Sequence, residues 1–229
     1  MKKRVIVLSL GGSLIVPDEI DNTFLKIFQK TIKKHLKNYK FVIVCGGGSI
    51  ARKYIHSLRK QGMSEHLQSL NGIAITRLNA RFLTYFFGRE ANEGIPQNMK
   101  EIKNLLKKNQ IVFCGALRYA KNETSDSTAA KLACFFNSEF INLTSVSGLY
   151  TSNPLKNKNA RLIKWISWKD FYKITKNIKY HPGQHFPLDQ NAAKIIMNNK
   201  IPTYILGKDL KNLDNLLTKK KFKGTAISG

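Results

Sequence analysis

The chain has 229 residues, with 39 Lys or Arg against 14 Asp or Glu, for a formal charge of +25 at pH 7. A hydrophobic share of 42% with 10% aromatics excludes a disordered chain and provides material for a large core. No apolar run approaches the ~18 residues of a membrane span, and the apolar stretch after Met1-Lys2-Lys3-Arg4 is too short for a signal peptide, so a cytoplasmic protein is expected.

Val5–Leu10 is an apolar run stopped by Gly11-Gly12-Ser13, a buried strand feeding a tight turn. Ile20–Lys37 carries Phe24, Leu25, Phe28, Ile32 and Leu36 at helical spacing. Phe41–Cys45 is a second buried strand, ended by Gly46-Gly47-Gly48, and Ser49–Lys60 a second helix. A long helix is expected over Glu65–Arg89, a strand over Ile111–Cys114, a helix over Asp126–Phe136 and a strand over Phe140–Thr144. A polar loop at 157–161 and a Trp165/Trp168 segment precede a helix from about Leu188 to Asn199 and a strand over Thr203–Leu206. Strands too apolar for a solvated face, alternating with helices, predict an α/β fold: a three-layer αβα sandwich around a mostly parallel sheet. No linker or repeat divides the chain, so one domain spanning 1–229 is expected, its first half binding the acceptor and phosphate and residues from about 140 binding the nucleotide.

Lys outnumbers Arg 31 to 8 and is spread along the whole chain. Specific nucleic-acid surfaces favour Arg with interleaved aromatics, so the charge predicts no specific nucleic-acid partner, and the run Lys219–Lys223 reads as a solvated tail. Cys45, Cys114 and Cys134 are too few and scattered for a disulfide framework or a zinc site. His181 and His185 are separated by Pro182 and Gly183, which forbid the helical geometry of a metal pair, so no protein-built metal site is expected.

The two glycine turns carry the chemistry. Glycine lets backbone N–H groups approach an oxyanion, and a helix N-terminus adds partial positive charge, so Gly46–Gly48 running into a helix with Arg52 points to phosphate. Neither turn fits the P-loop or GxGxxG patterns. Thr124-Ser125-Asp126-Ser127 ahead of an apolar helix is N-cap chemistry, and it also falls at the sheet end where ligands bind in open α/β sheets.

Leu10–Ser13, Gly46–Tyr54, Gly72–Ala80, Thr124–Asp126, Val146–Pro154 and Asp189–Lys194 together resemble the uridylate (UMP) kinases, particularly the archaeal type, within the amino acid kinase superfamily. The resemblance covers nearly the whole chain. It implies transfer of the ATP γ-phosphoryl group to UMP in pyrimidine nucleotide synthesis, with Mg²⁺, by a homo-oligomer that is a hexamer built from dimers. It also implies that Gly12, Ser13, Gly48 and Arg52 contact ATP phosphates and that Thr144, Ser145, Tyr150 and Asn153 line the adenosine pocket. UMP would meet Gly47, Ser69, Gly115, Thr124 and Ser125. Arg52, Lys194 and Asp126 are the expected catalytic residues, because a phosphate acceptor needs charge neutralisation more than a strong base.

Four departures stand out. Ser9 replaces a usual lysine, and Ser69 a usual acidic ribose partner. Ser147 and Asn153 replace carboxylates, and the loop before Thr124 is longer and carries Arg118 and Lys121. They leave two alternatives open: a kinase for another small phosphate or carboxylate acceptor, or a weakly catalytic nucleotide-binding protein of the same fold. A kinase of isopentenyl phosphate would want a histidine beside the second glycine turn, whereas His56 lies further along the helix.

Overall fold

The computed structural model of the chain describes residues 3–121, 123–152, 154, 157–176 and 188–229. The strands are β1 (Arg4–Leu10), β2 (Tyr39–Cys45), β3 (Ile111–Cys114), β4 (Phe140–Leu143), β5 (Trp165–Ile166), β6 (Thr203–Leu206) and β7 (Thr225–Ile227). The helices are α1 (Gly12–Ile15), α2 (Asn22–His35), α3 (Gly48–Lys60), α4 (Glu65–Phe87), α5 (Met99–Lys108), α6 (Ser125–Phe136), α7 (Trp168–Lys176), α8 (Gln190–Asn198) and α9 (Leu210–Leu217).

One seven-stranded sheet has the order β3-β2-β1-β4-β6-β7-β5, and only the β6–β7 pairing is antiparallel. Successive strand residues point to opposite faces, and both faces here are apolar. Ile6, Leu8, Leu10, Phe41, Ile43, Ile111 and Phe113 face a layer containing α2, α4 and α9, where Phe28, Leu83, Phe87 and Leu213 are buried. Val7, Val42, Val44, Val112 and Phe140 face α5, α6, α7 and α8, meeting Ile102, Leu132, Phe171 and Ile196. This is the expected three-layer sandwich. Ser9 continues the Val7 face and is buried against α6, a polar residue in a valine row.

The expected elements fall within a few residues of their bounds, and Thr203–Leu206 matches at both ends. Six elements escaped the sequence reading, among them α1 where a tight turn was expected and β5 within the Trp165/Trp168 segment. α5 has an amphipathic pattern with Asn98 capping Glu101 N, α7 follows the Trp165 strand, and α9 and β7 close the chain. The Lys219–Lys223 run is therefore no tail but the turn between α9 and β7. Its Phe222 ring packs at 5.9 Å against Tyr204, while Lys219–Lys221 stay exposed. Cys45 and Cys114 are buried, and burial pushes the Cys114 thiol up to about 12, so both remain neutral thiols; Cys134 is exposed.

Candidate active site

β1 to β4 run parallel, so their C-terminal ends share one edge of the sheet. The sheet grows one way from β1 through β2 to β3 and the other way through β4, which makes the β1/β4 edge the switch point where α/β sheets bind ligands. A cleft opens there between the two glycine turns, α3, α4, the connection from Ala116 to Asp126, and Asp189 before α8.

The two glycine turns pack backbone on backbone. A Cβ on Gly12 would fall 2.5 Å from the Gly46 carbonyl oxygen and 2.6 Å from the Gly47 carbonyl carbon, and closer still to the Gly48 nitrogen. Gly48 adds a φ of +66°, which disfavours any side chain. Ser49 Oγ donates to Val16 O at 3.0 Å and Asn79 Nδ2 to Gly46 O at 2.7 Å, locking the second turn to α1 and α4. A Cβ on Gly47 would collide with the Ala51 Cβ, so that glycine is required for packing as well as for access.

The Gly72–Ala80 segment works as a clamp. Thr76 Oγ1 accepts from Ala116 N at 3.0 Å, and Arg77 donates to Ala116 O at 3.2 Å and to Leu117 O at 2.5 Å. α4 thereby holds the start of the connection that forms one wall of the cleft. Gly115 is buried where α4 passes, since a Cβ there would lie 2.6 Å from Arg77 N.

Three substantial helices begin at this edge, and their N-termini differ. The side chain of Thr124 caps α6, accepting from Asp126 N at 3.1 Å. Asp189 caps α8 through Ala192 N at 2.7 Å, and its carboxylate also accepts from Ser127 N at 3.2 Å, from Ser127 Oγ at 2.7 Å and from Thr124 Oγ1. One buried carboxylate thus satisfies donors on two helices. α3 has no side-chain cap and no acidic residue in its first turn. Its N-terminus faces the cleft with Arg52 one turn in, an anion site by dipole, free amides and charge together.

Asp126 is the electrostatic counterweight. Its carboxylate accepts from Ser9 Oγ at 2.7 Å. Burial and the nearby Asp189 charge push its pKa up to about 7, against the lowering effect of the Ser9 bond.

Gly12, Ser13, Gly47, Gly48, Arg52, Ser69, Thr124, Ser125, Asp126 and Thr144 all line the cleft. Others do not. Gly115 is packed under α4, Ser145 is exposed beyond the edge, and Tyr150 pairs with Leu162 in an isolated bridge. Lys194 is exposed on α8, beyond the Asp189 cap that does reach the cleft, so the structure does not bring it to the other candidates. Asn153, His181 and His185 lie outside the described residues. The sequence reading missed Asn142, Thr76 and Tyr119 as lining residues. A polar residue inside the apolar run Phe140–Leu143 was the available signal for Asn142.

The amino acid kinase family model matches residues 4–207. The chain belongs to the amino acid kinase family. It is 32% identical over 224 residues to the uridylate kinase of Thermococcus kodakarensis, covering 97% of this chain and 98% of the relative. With the uridylate kinase of Thermoplasma volcanium it shares 34% over 223 residues, 97% and 96% of the two chains. The crystal structure of the Archaeoglobus fulgidus uridylate kinase superposes with a TM-score of 0.84 at 33% identity, covering 97% of this chain and 99% of that one. The UMP kinase structure from Ureaplasma parvum shares the fold, with a TM-score of 0.82 at 24% identity.

Gly12→Ala should destabilise the protein by about 1–3 kcal/mol, because the clash is with backbone that cannot rotate away; an unchanged urea midpoint would show that the turns can separate. For Asp126, the folded state holds a proton that the unfolded chain releases near 3.8. Its contribution therefore makes stability fall as pH rises from about 4 to about 7, with the full penalty above that. Asp126→Asn should remove the penalty, gaining on the order of 2 kcal/mol at pH 8 and little at pH 4. Thermal unfolding at both values checks this, and equal gains at the two would contradict it.

Proposed function

We propose that this chain is an ATP-dependent uridylate kinase that transfers the γ-phosphoryl group of ATP to a phosphate oxygen of UMP, giving UDP and ADP. The observation that carries this reading is the uncapped N-terminus of α3, with Arg52 one turn in, opening on a cleft at the switch point of the sheet. The uridylate kinases that the chain is similar to supply the acceptor. As the new P–O bond forms to UMP, the bond from the γ-phosphorus to the bridging oxygen breaks and ADP leaves. Such a transfer asks for positioning and charge neutralisation. Glycine-turn amides and Arg52 provide both for the phosphates.

Among the described residues no three His, Cys, Asp or Glu side chains cluster as a metal site. The hydroxyl and carboxylate oxygens of the lining suit a Mg²⁺ ion that arrives on the nucleotide phosphates, where it shields their charge. His56 is exposed on α3 and outside the lining, so nothing favours a histidine-dependent phosphate kinase. No helix among the described residues is long and apolar enough to cross a membrane, in keeping with a cytoplasmic site of action.

We also propose that the protein acts as a homo-oligomer, with α4 as a pairing surface. Leu67, Leu70, Leu78 and Tyr85 are exposed along it, Leu78 at 59% and Tyr85 at 76%, with half-buried Phe82 and Phe86 beside them. An apolar row of this length is costly in water. The expected hexamer would use this face in its dimers.

Arg52→Ala should lower kcat/KM for UMP phosphorylation ten-fold or more, since a charge-assisted phosphate contact contributes ~1.5–3 kcal/mol. Coupled-assay kinetics at wild-type level in a folded variant would remove Arg52 from the site. Leu78→Glu should shift the particle to smaller mass in light scattering after gel filtration. An unchanged mass would move the interface elsewhere.

A further inference from the structure

Tyr119 is the one aromatic side chain among the described residues lining the cleft. Its ring meets His66 at 4.3 Å between centroids with the planes at 89°, a perpendicular packing that fixes the tyrosine against the first turn of α4. The connection that carries it is tied at both ends. Thr76 and Arg77 hold Ala116 and Leu117, and Lys131 pairs with Glu123 at 2.5 Å. Tyr119 is nevertheless 36% exposed, so its ring has surface left to offer.

α4 gives the scale. Gly72 on that helix faces the second glycine turn, its carbonyl oxygen 3.7 Å from where a Gly47 Cβ would stand. His66 is six residues earlier, about 9 Å along the axis at ~1.5 Å per residue. That interval is the span of a ribose between a phosphate and its base, and Ser69, which lines the cleft, lies halfway. With an acceptor phosphate at the glycine turn, its base arrives at the Tyr119 wall.

We propose that Tyr119, held in place by His66, is the stacking platform that selects an acceptor bearing a flat nucleobase, with Tyr119 as the specificity-determining residue and His66 as its positioning residue. The proposal rests on the uridylate kinase reading and deepens it. Because the ring is fixed before binding, little side-chain freedom is lost on stacking.

The test measures equilibrium affinities of the full-length protein for UMP, ribose 5-phosphate and ATP by calorimetry or displacement. Tyr119→Ala should weaken UMP binding about ten-fold, as removal of a base-stacking aromatic does. Ribose 5-phosphate and ATP should bind within two-fold of wild type, and Tyr119→Phe should retain UMP affinity. His66→Ala should weaken UMP about three-fold through the loosened ring, raising KM with kcat unchanged, and His66→Phe should restore it. Unchanged UMP affinity in Tyr119→Ala would overturn the proposal, as would an equal loss for UMP and ribose 5-phosphate, which would mean a collapsed wall. A loss confined to ATP would assign the platform to the other nucleotide and equally overturn it. Wild-type protein that binds ATP but not UMP would instead refute the uridylate kinase reading itself, and the stacking proposal with it.

Discussion

The contact between Gly12 and the Gly46–Gly48 turn is the constraint on which the rest of the site depends. β1 and β2 are neighbours in full register, Leu10 beside Cys45, so the turns that leave them emerge side by side. Only glycine lets the two backbones come this close, and the turn that opens α3 lines the cleft. A glycine-rich turn chosen for phosphate access and one chosen for backbone packing look identical in sequence. Here one set of residues meets both demands, which is why Gly47 carries a packing constraint at Ala51 as well as a place in the lining.

From that contact the division of labour among helix N-termini follows. All three helices bring partial positive charge to the same edge. α6 and α8 are satisfied from within by Thr124 and Asp189, and α3 is left for the ligand. Asp189 spends its charge on helix donors, whereas Asp126, sharing the edge, has one hydroxyl from Ser9 and no cation among the causes that set its charge. A lysine at position 9 would have given it a counter-ion. With serine there, burial and the Asp189 charge keep the Asp126 pKa raised to about 7.

Most of the fold was legible because strands buried on both faces announce themselves as unbroken apolar runs, and the helices between them keep their period. The elements that escaped were short or masked by charge. In α5, Lys100, Lys103, Lys107 and Lys108 dilute the signal of Ile102 and Leu106, and in the C-terminal segment the lysine turn hid the return of β7 to the sheet. For the site, the glycine turns that line the cleft were readable. Residues placed by tertiary approach were not: nothing local distinguishes Tyr119 from a loop tyrosine until His66, far away in sequence, is seen to pack on it. Lys194 differs in the opposite sense: it lies inside a family segment, yet it is exposed on α8 outside the cleft lining.

The Gly72–Ala80 segment acts structurally. Thr76, Arg77 and Asn79 spend their polar ends on backbone partners, although Thr76 also lines the cleft. They bond to Ala116, Leu117 and Gly46, so a single helix sets the distance between the phosphate turn and the acceptor wall. In a reaction that depends on in-line placement of two anions, that distance is itself a catalytic quantity. A chain can then change the wall, with a longer basic loop and a braced tyrosine, while keeping the clamp that positions it.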